Sequence, residues 1–280
     1  MSDLLEKVLD VHGGLANWRR VSTVDFRLTF RGAALATKRQ PHGFRDVLVK
    51  VETRRQRTLI TPFPAPGSRG IFADGKVTIE TDAGVKTSGL DEPRKSFEGH
   101  QRETPWTEQQ FLYFAGYALN NYITMPFLLA GDGVRCEEIA PHEEHGESWR
   151  VLEVTFPLGA HVHCSQQRFY FSDAGYLVRN DYDPEVTGST AAHYTFDHRN
   201  FDGFIFPTHR RVVRRDANNH TLLTAPSTFR LDIESVVLTR DAITDESASA
   251  TASPRRLEMP KASNSPPATS SSPVRRAASA

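Results

Sequence analysis

Cysteine, net charge and an apolar leader segment are all scarce or missing in this sequence of 280 residues. The 2 cysteines, Cys136 and Cys164, lie too far apart and are too few for a disulfide framework. Lysine plus arginine (34) balance aspartate plus glutamate (34), so the composition does not indicate a nucleic-acid-binding protein. The N-terminus lacks a basic stretch followed by an apolar one, which would mark a secretory signal. We therefore expect a cytoplasmic protein.

Common catalytic signatures are missing as well. The sequence contains no phosphate-binding loop, dinucleotide-binding fingerprint, G-x-S-x-G elbow or H-E-x-x-H helix. His161 and His163 would lie on one face of a predicted strand, as in some metal sites, but no third ligand follows at a fixed spacing. We predict neither a metal nor another cofactor.

One long segment, residues 109–131, carries no charge and approaches the length of a membrane-spanning helix. Asn120 and Asn121 lie near its centre, where adjacent amides would be costly in a bilayer. We predict a helix buried within the protein and no membrane span. Thr104 or Thr107 is the candidate N-cap, and Pro126 should end or kink the helix.

Alternating apolar and polar residues dominate both sides of that segment. Val24, Phe26, Leu28 and Phe30 define the first half-buried strand. The same pattern, separated by turn signals, predicts strands at 44–53, 57–61, 70–73, 76–81, 134–139, 149–156, 161–171, 176–182, 193–198, 204–214 and 228–237. The fold class is therefore mainly β (α+β), with an antiparallel sheet and one apolar helix.

The C-terminal segment, residues 241–280, is rich in serine, proline and alanine. Such a composition buries too little apolar surface to offset the entropy of ordering. We predict a disordered tail at 241–280 after a single domain at 1–240.

The order of elements resembles the LolA-like half-barrel group of lipoprotein carriers and their relatives. The resemblance rests on residues 12–15 and Trp18 before the first strand, on the apolar helix 117–129, and on the later segments 169–175 and 201–207. It covers roughly residues 1–238. It implies a strongly curved antiparallel sheet, or half-barrel, wrapped around the helix, with an apolar ligand or lipid between the two.

A polar stripe runs along the apolar helix. Tyr113, Tyr117, either Asn120 or Asn121, and Thr124 recur at spacings of three or four residues, which places them on one face. They are candidate ligand-binding residues, since a few polar groups orient the guest in an apolar cavity. The other interpretation is that they hydrogen-bond the surrounding strands, as buried polar groups must.

Asp181, Tyr182 and His193 lie on two neighbouring predicted strands. Across a hairpin, an aspartate and a histidine can act as general acid and base, so these three are candidate catalytic residues. Ordinary cross-strand pairing on a solvated face is the alternative.

The leading functional hypothesis is binding of a hydrophobic small molecule or lipid in the half-barrel cavity. The alternative is an isomerase or cyclase that acts on a hydrophobic biosynthetic intermediate in the same cavity. A third hypothesis is a scaffold whose tail recruits a partner. The sequence does not distinguish between oligomeric states.

Overall fold

The alternating segments form one antiparallel sheet in the computed structural model, which describes residues 2–223 and 225–241. Its thirteen strands are β1 (Val21–Arg31), β2 (Phe44–Glu52), β3 (Arg57–Thr61), β4 (Ser68–Ala73), β5 (Lys76–Thr81), β6 (Lys86–Leu90), β7 (Arg135–Glu144), β8 (Glu147–Thr155), β9 (Gln166–Phe171), β10 (Leu177–Tyr182), β11 (Ala191–Phe201), β12 (Phe204–Val213) and β13 (Phe229–Arg240). In β1, the predicted residues Val24, Phe26, Leu28 and Phe30 are all buried.

The sheet consists of two meanders joined at their first and last strands. Its order is β6-β5-β4-β3-β2-β1-β13-β12-β11-β10-β9-β8-β7, so β1 pairs with β13 at the centre and β6 and β7 are the two edges. The sheet is curved and unclosed, with its main helix on one face. The predicted half-barrel architecture is confirmed.

Four helices accompany the sheet: α1 (Asp3–Val11), α2 (Leu15–Trp18), α3 (Ala33–Thr37) and α4 (Glu108–Thr124), with 3-10 turns at Lys95–Phe97 and Phe127–Ala130. Helix α4 is the predicted apolar helix. Thr107, and not Thr104, caps it through a capping box with Gln110. It ends at Thr124, immediately before Met125 and Pro126, in agreement with the prediction.

Helix α4 connects the two edges of the sheet and packs on the first meander, β2–β6. Gly116 permits this close approach, because a Cβ atom there would lie 2.4 Å from the Cβ of Phe72 on β4. Thr58 on β3 donates a hydrogen bond of 2.8 Å to the Gly116 carbonyl. From residue 110 to residue 124 the whole helix is buried.

The predicted strand 161–171 is wrong in its first half. Strand β9 begins only at Gln166, and His161 and His163 lie in the connection between β8 and β9. Both imidazoles hydrogen-bond tyrosine hydroxyls of α4, which draws this connection towards the helix. Helix α3 and strand β6 were not predicted.

The predicted tail lies outside the described residues from position 242 onward. Within the described part of the chain, none of the helices has the length and apolarity needed to cross a membrane.

Candidate functional site

The two tyrosines of the predicted stripe are hydrogen-bonded by histidines of the β8–β9 connection. The Tyr113 hydroxyl lies 3.0 Å from Nδ1 of His161, and the Tyr117 hydroxyl lies 3.1 Å from Nδ1 of His163. Arg94 also contacts the Tyr113 hydroxyl, at 3.4 Å. Both tyrosines are fully buried.

The amides and the threonine of the stripe are also hydrogen-bonded within the protein. Asn120 donates to the Arg57 carbonyl (3.4 Å), Asn121 donates to the His161 carbonyl (3.1 Å), and Thr124 donates to the carbonyl of Asn120 (2.9 Å). The stripe therefore holds α4 to the strands and to the β8–β9 connection. Its role in ligand binding stays a prediction.

A cluster of buried polar side chains, here called the polar seam, joins α4 to the second meander: Tyr117, Tyr122, His163, Tyr182, His193 and Arg210. At its centre, the Tyr122 hydroxyl lies 2.9 Å from Nε2 of His163 and 2.9 Å from the Tyr182 hydroxyl. The Tyr182 hydroxyl in turn lies 3.4 Å from Nδ1 of His193. The His163 and Tyr182 rings stack with centroids 4.0 Å apart.

Burial sets the protonation of the seam. It lowers the pKa of His163 to about 3 and that of His193 well below its ordinary value, and it raises the pKa of Tyr122 to about 12. Both histidines and this tyrosine are therefore neutral at pH 7. Arg210, whose pKa burial lowers to about 10, stays charged and donates a hydrogen bond of 2.8 Å to the Tyr122 carbonyl.

The predicted acid–base pair is not brought together. Asn180, not Asp181, pairs with His193, so Asp181 points to the opposite face of the sheet, where Ala192 is its partner. Tyr182 does lie beside His193 in the seam. An Asp181–His193 pair would need a register shifted by one residue.

Asp181 instead belongs to a buried ion cluster on the outer face. It accepts two hydrogen bonds from Arg179, at 2.7 and 2.8 Å, and one from the Tyr170 hydroxyl, at 2.7 Å. Arg179 is fully buried and also donates to Glu144. This satisfied cluster fixes β10 to its neighbours, while a catalytic role for Asp181, Tyr182 or His193 stays a prediction.

A surface cleft of about 590 Å³ opens beside the Lys95–Phe97 turn. Five carboxylates line it, and three of them pair with basic side chains: Lys76–Asp91, Lys95–Glu92 and Arg94–Glu185. A lining of this kind suits water and ions better than an apolar molecule.

Five buried phenylalanines form a continuous group at the opposite rim, here called the aromatic row: Phe229, Phe30, Phe44, Phe111 and Phe63. Phe229 stacks on Phe30 with centroids 5.4 Å apart, and Phe44 stacks on Phe111 at 4.8 Å. Phe30 and Phe44 face each other across β1 and β2 and link these two pairs. The row begins at Phe229 on β13 and crosses β1 and β2. It ends at Phe111 on α4 and at Phe63, which follows β3.

The β1–β2 connection, residues 33–43, lies against this row and is here called the strap. The backbone of Ala33 and Ala34 donates to carbonyls of the β12–β13 connection, at 3.1 Å in each case. Lys38 accepts a hydrogen bond of 3.0 Å from the backbone of Trp106, just before α4. Leu35 is the apolar side chain that the strap buries, with an exposed fraction of 1%.

A crevice opens at each end of the strap. The first, about 290 Å³ and here called the basic crevice, has Phe229 in its wall, together with alanine side chains and the cations Lys38, Arg102 and Arg214. The second, about 430 Å³ and here called the proline crevice, exposes the other end of the row. It is lined by Phe44, Phe63 and Phe111, by four prolines (Pro41, Pro62, Pro64 and Pro66) and by neighbouring polar residues.

The sequence analysis did not identify this rim. One sequence pattern could have indicated the row: Phe30 and Phe44 flank the β1–β2 connection. An aromatic residue at each end of a connection favours a shared cluster beneath it. Phe63, Phe111 and Phe229 come from distant parts of the chain and join only through the sheet order.

Solved structures share this architecture. A DUF1329 family protein from Desulfovibrio piger is similar over 88% of this chain and 99% of its own, with 12% sequence identity and a TM-score of 0.51. A LolA superfamily protein from Nitrosomonas europaea is similar over 85% of this chain and 93% of its own, with 11% identity and a TM-score of 0.49. No family model and no curated protein sequence matches the chain.

The likeness is one of fold alone, because the sequence identities are so low. The predicted half-barrel fold is therefore shared with the DUF1329 family protein.

Proposed function

We propose that this protein binds an apolar small molecule or lipid along the aromatic row, beneath the strap. The observation that carries the proposal is a continuous group of phenylalanine rings that reaches a crevice at each end. The two crevices, about 290 and 430 Å³, are close to the size range of small-molecule sites. An elongated guest would extend from one crevice to the other by displacing Leu35 from between strap and sheet.

The aromatic side chains of the row favour the replacement of Leu35 by an apolar guest. Aromatic rings offer large apolar contact areas and no polar group that needs a partner. An acyl chain that replaces one side chain against these rings therefore leaves no unsatisfied hydrogen bond. The strap is held by backbone hydrogen bonds at Ala33, Ala34 and Lys38, and by the side chains of Lys38 and Gln40, which donate to the carbonyls of Gln101 and Trp106. Leu35 is the buried apolar side chain that a guest would replace.

The test is a fluorescence titration with the neutral probe N-phenyl-1-naphthylamine on the wild type and on Leu35→Ala. The wild type should bind one probe per chain, and the variant should bind it more tightly, because a smaller side chain must be displaced. Leu152→Ala is the matched control: this leucine is equally buried, on β8, away from the row. Probe binding that Leu35→Ala and Leu152→Ala alter equally would contradict the location, and no saturable binding would contradict the function.

A further inference from the structure

The basic crevice carries positive charge without a carboxylate in its lining. Lys38, Arg102 and Arg214 contribute the charge, and none of them forms an ion pair within 4 Å with a described carboxylate. Glu103 acts electrostatically on Lys38, but it is exposed and does not line the crevice. Surface cations in this protein more often have partners, as the Arg150–Glu138 pair shows.

Lys38 is the most unusual of the three, since its exposed fraction is only 3%. Its ammonium donates to the Gln101 carbonyl at 3.2 Å and lies 5.2 Å from the centre of the Trp106 ring. Burial lowers the pKa of Lys38, since the charged ammonium is partly removed from water. A lysine held in this way has donors left for an incoming anion.

Arg214 is the second cation of the crevice with an unused hydrogen-bond donor. Its Nε atom is buried and has no hydrogen-bond partner among the described residues. It follows the end of β12, in the same crevice wall as Phe229. A guanidinium next to an aromatic ring can bind an acidic group while the ring contacts the first carbons of an attached chain.

We propose that the basic crevice recognises the anionic head group, a carboxylate or a phosphate, of an amphipathic ligand whose chain follows the aromatic row. This inference rests on the proposed function and names its ligand class. Lys38 and Arg214 bind the head group, and Arg102, at the exposed end, attracts it. The proline crevice, whose lining contains Glu108 as well as Arg39 and Arg45, receives the far end of the chain.

The test compares ligands that differ only in the head group. Dodecanoic acid, methyl dodecanoate and dodecyl phosphate each compete with N-phenyl-1-naphthylamine, and sodium phosphate and sodium acetate serve as head groups without a chain. The acid and the alkyl phosphate should bind at least about tenfold more tightly than the ester, the ratio for one charge-assisted hydrogen bond. The salts alone should not displace the probe.

Two variants locate the head group. Arg214→Gln and Lys38→Met should each remove most of the preference for the acid over methyl dodecanoate. Arg135→Gln, on the exposed edge strand β7, is the matched control and should retain the full preference. Circular dichroism checks that the variants fold, and the comparison of acid and ester on the wild type needs no variant.

The outcomes separate the two proposals. If the neutral probe and the ester both fail to bind, the proposed function is wrong. If the ester binds as tightly as the acid, the function stands and the head-group assignment is wrong. A preference that is lost in Arg45→Gln, at the proline crevice, and retained in Arg214→Gln would place the head group at the opposite end and overturn the assignment. Displacement of the probe by phosphate or acetate alone would indicate a simple anion site and would overturn the assignment of an amphipathic ligand.

Discussion

The polar seam and the aromatic row are both buried between α4 and the sheet, but different interactions stabilise them there. In the seam, tyrosines and histidines bond to one another, and any guest would have to replace several hydrogen bonds at once. In the row, phenylalanines make contacts that an apolar guest can reproduce. Tyr182 of the seam lines a polar surface pocket, whereas the row reaches a crevice at each end.

The difference shows that polar residues in an apolar helix are weak evidence for a ligand site. Buried hydroxyls and amides need hydrogen-bond partners whether or not a ligand is bound. Here other parts of the chain supply those partners, through His161 and His163 above all. We assign the seam to stability and the row to binding, and the following experiments separate these roles.

Lowering the pH should have the largest effect, because it removes the contribution of the seam to the free energy of unfolding. His163 and His193 are neutral in the folded protein, while in the unfolded chain they take up protons near their ordinary pKa of 6.5. Their contribution to stability is therefore complete above pH 6.5 and is lost as the pH falls towards the folded value of His163, about 3. Urea unfolding should show a loss of about 1.4 kcal/mol per pH unit for each histidine below pH 6.5.

The variant His163→Gln should reduce that slope. Neutral-probe affinity of the wild type should stay constant from pH 7 to pH 5, because no ring of the row titrates. A free energy of unfolding that does not change over this interval would contradict the protonation states assigned to the seam.

Removing a single hydroxyl from the seam should have the next largest effect. Tyr122→Phe deprives the His163 ring and the Tyr182 hydroxyl of a partner, and we expect a loss of about 1–3 kcal/mol in the free energy of unfolding. Tyr176→Phe is the control, since this half-buried hydroxyl bonds to no described side chain. Equal stabilities for the two variants would show that the seam does little for stability.

A substitution in the row should affect binding more than folding. Phe63→Leu removes ring contacts at the proline crevice. It should therefore lower the affinity for the neutral probe by about 1 kcal/mol, or about fivefold. Phe169→Leu, at a fully buried phenylalanine of the second meander, should cost similar stability and leave probe affinity unchanged. Probe affinity that falls equally in both variants would mean that the loss is not specific to the row.

Much of the fold follows from periodicity. The alternation in β1, the uncharged segment of α4 and the turn residues between strands specify an antiparallel sheet with one buried helix. Strand pairing is harder to infer, because β1 and β13 meet at the centre of the sheet from opposite ends of the domain. The face on which Asp181 lies is hard to infer as well, since a register shift of one residue moves a side chain to the other face of the sheet.

The site follows less well from sequence. The polar stripe was visible because polar residues stand out in an apolar helix. The aromatic row was not, because its five phenylalanines are separated along the chain and resemble ordinary core residues until the sheet brings them together. Lys38 and Arg214 likewise gain significance only from the crevice that they share.

Native mass spectrometry of the wild type, incubated with excess dodecanoic acid and then desalted, is the decisive test of ligand binding along the aromatic row. We expect a complex of one ligand per chain, which is weakened by Phe63→Leu and kept by Phe169→Leu. A wild-type spectrum that contains only the unliganded chain, from protein that is folded by circular dichroism, would contradict ligand binding along the aromatic row.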